Sequence, residues 1–257
     1  MATFSADPIP QHLPPPPLLT ARAALFLDFD GTLAPLALRP DRVQVEAGMP
    51  ALLETLQNRL DGAVAIVTGR RLQEVDVHLA PFAFGGAGLH GAELRRVAGT
   101  PAQLQWNPAT RALVDALRLR FARDARILVE DKEAAVAVHF REAPERGAEC
   151  RDALHALAPE GDFEIIAGSM VVEARPRGSN KGRAVHALFA QPPFAAREPV
   201  FVGDDVTDEE GFAAAAELGG YGVKIGDGVT LAHFRVEQAA DVPRWLQRSL
   251  DTGLRGA

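Results

Sequence analysis

Unbroken apolar runs, each closed by acids, hydroxyls or glycine, recur along this chain. Leu25-Phe26-Leu27 leads into Asp28-Phe29-Asp30-Gly31-Thr32, and Val64 to Val67 leads into Thr68-Gly69-Arg70. Pro199-Val200-Phe201-Val202 leads into Gly203-Asp204-Asp205, with Asp208 close behind, and Tyr221 to Ile225 leads into Gly226-Asp227-Gly228. Short apolar runs without alternation predict strands buried on both faces, as in a parallel sheet. Phe82 to Gly86 is one more such strand. Helical periodicity predicts the connections: Gly48 to Leu60, with leucines at 52, 53, 56 and 60, then Arg71 to Leu79, Ala184 to Phe189 behind Asn180-Lys181-Gly182, Asp208 through Ala216, and Val242 to Leu250. The alternation predicts an α/β fold with a doubly wound, mostly parallel Rossmann-like core sheet.

Between residues 101 and 175 the pattern changes. Thr110 to Arg123 and Arg146 to Leu157 are amphipathic helices. Ile127 to Glu130 with Ala134 to Phe140 reads as a hairpin turning through Asp131-Lys132-Glu133. Phe163 to Ile166 with Met170 to Ala174 reads as a second strand pair around Ala167-Gly168-Ser169. Paired strands with one helix per pair predict an antiparallel sheet covered on one face, an α+β cap domain inserted into the core. The expected organisation is a flexible proline-rich lead-in (1–20), a core made of 21–100 and 176–257, and a cap at 101–175 that sets substrate specificity.

Composition narrows the classes. Of 257 residues, 34 are Asp or Glu and 27 are Lys or Arg, without a basic stripe, so no nucleic-acid partner is expected. The single cysteine, Cys150, excludes an internal disulfide framework and a multi-cysteine metal site. With neither a signal-peptide pattern nor a membrane-length apolar run, a soluble cytoplasmic protein without a membrane partner is expected.

The polar ends of the strands carry the candidate chemistry. Residues two apart on a strand share a face, so Asp28 and Asp30 converge on one volume, and crowded carboxylates repel unless something neutralises them. Thr68, Lys181 and the cluster Asp204, Asp205 and Asp208 add hydroxyl, ammonium and further acids. An all-oxygen ligand set calls for a hard cation, and Mg²⁺ with substrate phosphate suits it better than Ca²⁺, whose EF-hand spacing is missing. Gly86-Ala87-Gly88-Leu89-His90-Gly91 matches the dinucleotide pattern G-x-G-x-x-G, but the following Glu93 to Val97 is too short and too quickly broken to be the helix that pattern requires. Its glycines are expected to let backbone segments or a ligand approach closely.

Asp28-Phe29-Asp30-Gly31-Thr32, Thr68, Lys181 and Gly203-Asp204-Asp205 resemble, in order and form, the motifs of the haloacid-dehalogenase-like phosphatases. Within these, Thr68-Gly69-Arg70, Gly88-Leu89-His90-Gly91-Ala92-Glu93, Glu130-Asp131-Lys132, His139-Phe140-Arg141, Glu173-Ala174-Arg175-Pro176, Asn180-Lys181-Gly182 and Gly203 to Glu209 resemble the trehalose-6-phosphate phosphatases. The resemblance implies a Mg²⁺-dependent phosphatase working through an aspartyl-phosphate. Asp28 would be the nucleophile and Asp30 the proton donor and acceptor, with Thr68 and Lys181 holding the phosphoryl group. Metal ligands would be Asp28, the backbone carbonyl of Asp30, and Asp204, with Asp205 or Asp208 on the ion or one layer behind it. Glu130, Lys132, Arg141 and Glu173 would meet the sugar, while His90, Arg70 and Asn180 stay open between substrate contact and structural hydrogen bonding. The implied partners are a small-molecule sugar phosphate and a functionally linked trehalose-6-phosphate synthase. A phosphatase for sucrose 6-phosphate or mannosylglycerate phosphate, a phosphomutase, and a catalytically silent module are the alternatives.

Overall fold

The apolar run Ala23–Leu27 forms β1, a strand buried at every position. In the computed structural model, which describes residues 13–35 and 43–254, the chain continues as α1 (Met49–Arg59), β2 (Val64–Val67), α2 (Leu72–His78), β3 (Gly85–Gly88), β4 (Glu93–Arg95) and β5 (Gln103–Leu104). Its middle contributes α3 (Ala109–Phe121), β6 (Leu128–Asp131), β7 (Val136–His139), α4 (Gly147–Leu157), β8 (Phe163–Gly168) and β9 (Val171–Pro176). Then follow α5 (Lys181–Phe189), β10 (Glu198–Gly203), α6 (Glu209–Glu217), β11 (Tyr221–Ile225), β12 (Phe234–Val236) and α7 (Val242–Arg248).

An eight-stranded sheet runs β12-β11-β10-β1-β2-β3-β4-β5. All pairings from β12 to β3 are parallel, and β4 and β5 join antiparallel, so the expected mostly parallel α/β fold is the observed one. The winding reverses at β1, with β2 and β3 extending the sheet one way and β10 to β12 the other. Open α/β sheets bind ligands in the crevice at such a switch point, beyond the carboxyl ends of the strands. Leu27 is level with Val202 on β10 and with Ile66 on β2, so Asp28, Thr68 and Asp204 emerge at the same edge. Phe26 stacks on Phe194 with centroids 5.3 Å apart, and Phe201 meets Phe212 edge to face at 5.7 Å. Truncating any of these fully buried rings to alanine would cost about 3–5 kcal/mol.

A four-stranded antiparallel sheet, β6-β7-β9-β8, stands apart with its own apolar cluster. Val136, Val138, Val172 and Ala174 pack with Leu113, Leu117 and Phe121 of α3 and Leu154 of α4. The period of two then turns Glu130, His139 and Glu173 to the opposite face, toward the crevice.

Two boundaries differ from the sequence expectation. Residues 13–20, expected within the flexible lead-in, are docked. The Pro14 carbonyl accepts Arg235 N–H at 3.0 Å, the Pro17 carbonyl accepts Trp245 Nε1–H at 2.8 Å, and Leu19, fully buried, donates its N–H to Ser249 Oγ at 3.1 Å. Prolines lack the N–H donor but keep their carbonyls, so Pro14 and Pro17 bind as acceptors. The rest of the expected lead-in, residues 1–12, lies outside the described residues. Gln103–Leu104, expected in the cap, instead pairs with β4 and extends the main sheet. Among the described residues no helix is long and apolar enough to cross a membrane.

Candidate active site

The floor of the crevice is a cluster of charges at strand ends. Lys181, at the start of α5 and almost fully buried, donates to Asp28 Oδ1 at 2.8 Å and to Asp208 Oδ1 at 2.6 Å. Asp208 Oδ2 accepts the backbone N–H groups of Asp204 (2.9 Å) and Asp205 (2.8 Å), so one carboxylate fixes both the ammonium and the acidic loop. Burial, then the nearby Asp208, pushes the Asp204 carboxyl up to about 7. The same two causes, in that order, raise Asp28, while burial opposes but Asp208 and Asp28 hold Lys181 firmly charged. Ligand atoms of Asp28, Asp204 and Asp208 lie within 4.8 Å of one another, an arrangement that could hold a metal ion. Asp204 Oδ1 is buried without a hydrogen-bond partner among the described residues, and Lys224 donates to the Asp204 backbone carbonyl. Gly31 makes this packing possible: at φ 79°, a β-carbon there would lie 2.1 Å from Asp204 Oδ2.

Asp30 sits on the crevice side of the same turn. Arg70 grips both its oxygens, Nε to Oδ2 at 2.6 Å and the second guanidinium nitrogen to Oδ1 at 2.7 Å, a bidentate pair. The guanidinium also lies over the Phe29 ring at 5.6 Å. Thr68 is buried beside it, its hydroxyl accepting Arg70 N–H at 3.1 Å.

The second sheet supplies the facing wall. Lys132 bridges both parts of the molecule, donating to the Gly69 carbonyl at 3.0 Å and to Glu173 Oε2 at 2.6 Å. Burial works against its charge, but Glu173 and Glu130 raise its pKa. Glu130 Oε2 is 2.7 Å from His139 Nε2. Arg141 donates to the Ser169 carbonyl at 3.0 Å, tying β7 to the β8–β9 turn. His90 has left-handed backbone (φ 53°) and its Nε2 is 3.7 Å from Glu173 Oε1; burial, then Lys181 and Lys132, drive its pKa well below normal, so its ring is neutral. Floor and wall enclose a cavity of about 240 Å³, lined at one end by Asp28, Lys181 and Asp204 and at the other by His139, Arg141 and Ser169.

A family model described as Trehalose-phosphatase matches residues 26–234, most of the chain. This chain belongs to the trehalose-phosphatase family. It is 46% identical over 207 residues to a probable trehalose-phosphate phosphatase of Sinorhizobium fredii, spanning 79% of this chain and 77% of that protein. It is 39% identical over 237 residues to the trehalose-6-phosphate phosphatase of Escherichia coli, spanning 90% and 88%. In fold it is similar to the C-terminal domain of the Candida albicans trehalose-6-phosphate phosphatase, with a TM-score of 0.78 at 21% identity over 90% of this chain and 93% of that one. Trehalose-phosphatases are phosphoric monoester hydrolases.

Most of the residues that the sequence patterns single out meet in this trehalose-phosphatase crevice. Asp28, Asp30, Thr68, Arg70, His90, Glu130, Lys132, Arg141, Lys181, Asp204 and Asp205 all line it. Three do not. Asn180 caps α5, its Oδ1 accepting Arg183 N–H at 2.7 Å. Glu173 lies behind Lys132, and Asp208, wholly buried, lies behind Asp204 and Asp205. The Asp205 side chain accepts Asp208 N–H in a reciprocal capping box. Glu74, His139, Ser169, Val171 and Thr207 line the crevice without having been chosen from sequence. Two of these had a signal, His139 as part of His139-Phe140-Arg141 and Thr207 within the run Gly203 to Glu209. The glycine-rich stretch holds no dinucleotide fingerprint. Gly86 is in β3, where a β-carbon would lie 2.1 Å from the Ile66 carbonyl oxygen, and Leu89–Gly91 makes a single 3₁₀ turn into β4 rather than a helix.

Proposed function

We propose that this chain hydrolyses trehalose 6-phosphate to trehalose and inorganic phosphate, with Asp28 as nucleophile. The observation that carries the reading is the floor: a buried carboxylate beside a buried lysine, backed by two further acids, opening on a crevice lined by polar groups suited to sugar hydroxyls. Asp28 attacks phosphorus, the bond from phosphorus to the sugar oxygen breaks, and Asp30 gives that oxygen a proton. Asp30 then takes a proton from the water that attacks phosphorus, the phosphoryl–Asp28 bond breaks, and phosphate leaves. Two displacements replace one harder step. Thr68 and Lys181 hold phosphoryl oxygens by hydroxyl and by charge.

The site residues fit Mg²⁺. The donor set is all oxygen, and Asp204 Oδ1 is buried without a partner among the described residues. The Asp28 and Asp204 carboxyls are raised by burial and then by repulsion from Asp208, both of which a cation would offset. Asp28 and Asp204 would hold it together with the Asp30 carbonyl. Asp208, with both oxygens engaged, steadies the loop from behind. When bound, the ion neutralises the charge that would keep a carboxylate and a phosphate apart. The second sheet acts as the cap, with Glu130, Lys132 and Arg141 toward the sugar and Glu173 acting through Lys132. The substrate must come from glycosyl transfer onto a hexose 6-phosphate, which makes a trehalose-6-phosphate synthase the expected functional partner.

Phosphate release from trehalose 6-phosphate, sucrose 6-phosphate and glucose 6-phosphate, each with Mg²⁺ and with EDTA, tests this. The expected result is Mg²⁺-dependent turnover with a much higher kcat/KM for trehalose 6-phosphate. Equal rates on all three would reduce the enzyme to a general sugar phosphatase, and full activity in excess EDTA would remove the metal.

A further inference from the structure

The mechanism gives Glu130 a place toward the sugar but leaves its hydrogen-bonded partner His139 without a task. Glu130 on β6 and His139 on β7 are 2.7 Å apart, Oε2 to Nε2, and their side chains are only 24% and 22% exposed. The antiparallel register pairs Glu130 with Ala137, so His139 is its diagonal neighbour two residues on, along the same sheet face. Diagonal cross-strand neighbours are within reach of long side chains, so the contact is imposed by the pairing. From the geometry we infer that His139 is a positioning residue, which holds Glu130 open toward the sugar. The inference rests on the proposed role of Glu130 as a sugar contact.

The charges around Glu130 explain why it needs holding. Lys132 and Arg70 both attract it, and Glu74 across the crevice is raised by burial and by repulsion from Glu130. A carboxylate left to itself there would move toward the two cations. Lys132 is already committed to Glu173 and the Gly69 carbonyl, and Arg70 to Asp30. A collapse of Glu130 onto either would remove its acceptor from the sugar and disturb a second pair. The hydrogen bond from His139 competes with that pull. It occupies Oε2 and leaves Oε1 for a hydroxyl of the substrate, since an ionised carboxylate can only accept.

The test uses His139→Ala, His139→Gln, Glu130→Ala and the Glu130→Ala/His139→Ala double variant. Each is assayed with Mg²⁺ on trehalose 6-phosphate and on p-nitrophenyl phosphate. A hydrogen bond to a charged group sets the expected size: His139→Ala should raise KM and lower kcat/KM for trehalose 6-phosphate by roughly 10- to 100-fold. Turnover of p-nitrophenyl phosphate should be unchanged, and His139→Gln, whose amide N–H has similar reach, should recover most of the loss. In the Glu130→Ala background, removing His139 should add nothing. A full additional loss in that background would mean that His139 touches the substrate itself, and would overturn the inference. So would equal losses on both substrates with a fall in Tm, which indicate a folding role. If Glu130→Ala costs heavily and His139→Ala costs nothing, positioning fails but the sugar contact stands. If Glu130→Ala leaves trehalose 6-phosphate turnover intact, the proposed sugar contact fails and the inference fails with it.

Discussion

Asp208 on the floor is wholly buried, with Lys181 on one oxygen and two backbone N–H groups on the other. Glu130 on the wall keeps 24% of its side chain exposed and leans on a half-buried histidine from the neighbouring strand. The floor hangs from the ends of parallel strands at the switch point of the main sheet. The wall hangs from two hairpins in a sheet with a separate core. The difference lies in how firmly the groups are held. Asp208 and Lys181 on the floor are fixed by several partners each and buried in low dielectric, where charge is worth most. Glu130 on the wall keeps a second oxygen beyond its histidine contact, which suits a ligand recognised through many hydroxyls. In the proposed function, chemistry belongs to the floor and selection to the wall, and variants can separate them.

The largest effect is expected from Asp28→Asn. Loss of the proposed nucleophile should lower turnover by several orders of magnitude on trehalose 6-phosphate and p-nitrophenyl phosphate alike, because both would need the floor. Retained activity on either ester, measured by phosphate release, would break the division. Asp30→Asn should be more discriminating. In the proposed mechanism it removes the proton for a poor sugar leaving group, so trehalose 6-phosphate should suffer far more than p-nitrophenyl phosphate, whose leaving group needs little protonation. Equal losses would instead tie Asp30 to the floor through its pair with Arg70.

A smaller effect concerns charge on the floor. Asp204 titrates near 7 when folded against 3.8 for a free carboxyl. Between those values the folded protein binds more protons than the unfolded chain, so metal-free stability falls as pH rises through the window. The slope from this one group is at most about 1.4 kcal/mol per pH unit, and the effect is complete above the folded value. Asp28 shifts in the same direction. Mg²⁺ needs the ionised form, so its stabilisation should grow over the same range. At roughly a hundredfold excess over Kd it should add about 2.7 kcal/mol, a shift of several degrees in a chain of this size. Melting curves with Mg²⁺ or EDTA, at about pH 5.5 and about pH 8, should show the larger increment at the higher pH. An increment that does not change with pH would separate the acids from the metal.

The floor was legible in the sequence because a parallel strand announces itself. Ala23–Leu27 and Val64–Val67 are apolar throughout, and the polar residues that end them line the crevice. The main miss was partnership across distance. Arg70 and Asp30 are 40 residues apart, and nothing local says that the arginine will grip a neighbouring acid before any substrate arrives. Glu130 and His139 meet only once the register of β6 and β7 is known. β4, β5 and β12 went unread because two or three residues are too few to show a period. Asn180 before the helix Lys181–Phe189 carried a readable N-cap signal, overshadowed by its place in a motif. Residues 13–20 of the expected lead-in misled because proline density reads as disorder, while their anchors Arg235, Trp245 and Ser249 lie at the far end of the chain.

The most direct measurement of the division is the ratio of kcat/KM on trehalose 6-phosphate to that on p-nitrophenyl phosphate, compared between the unmodified enzyme and Glu130→Ala. A site built to hydrogen-bond hydroxyls loses heavily when a partner is removed, so the ratio should fall by at least about 100-fold with p-nitrophenyl phosphate turnover unchanged. Remote binding energy used to close the cap means that kcat on the sugar ester should fall as well. An unchanged ratio, whether both rates fall together or neither does, would contradict the claim that the wall selects while the floor reacts.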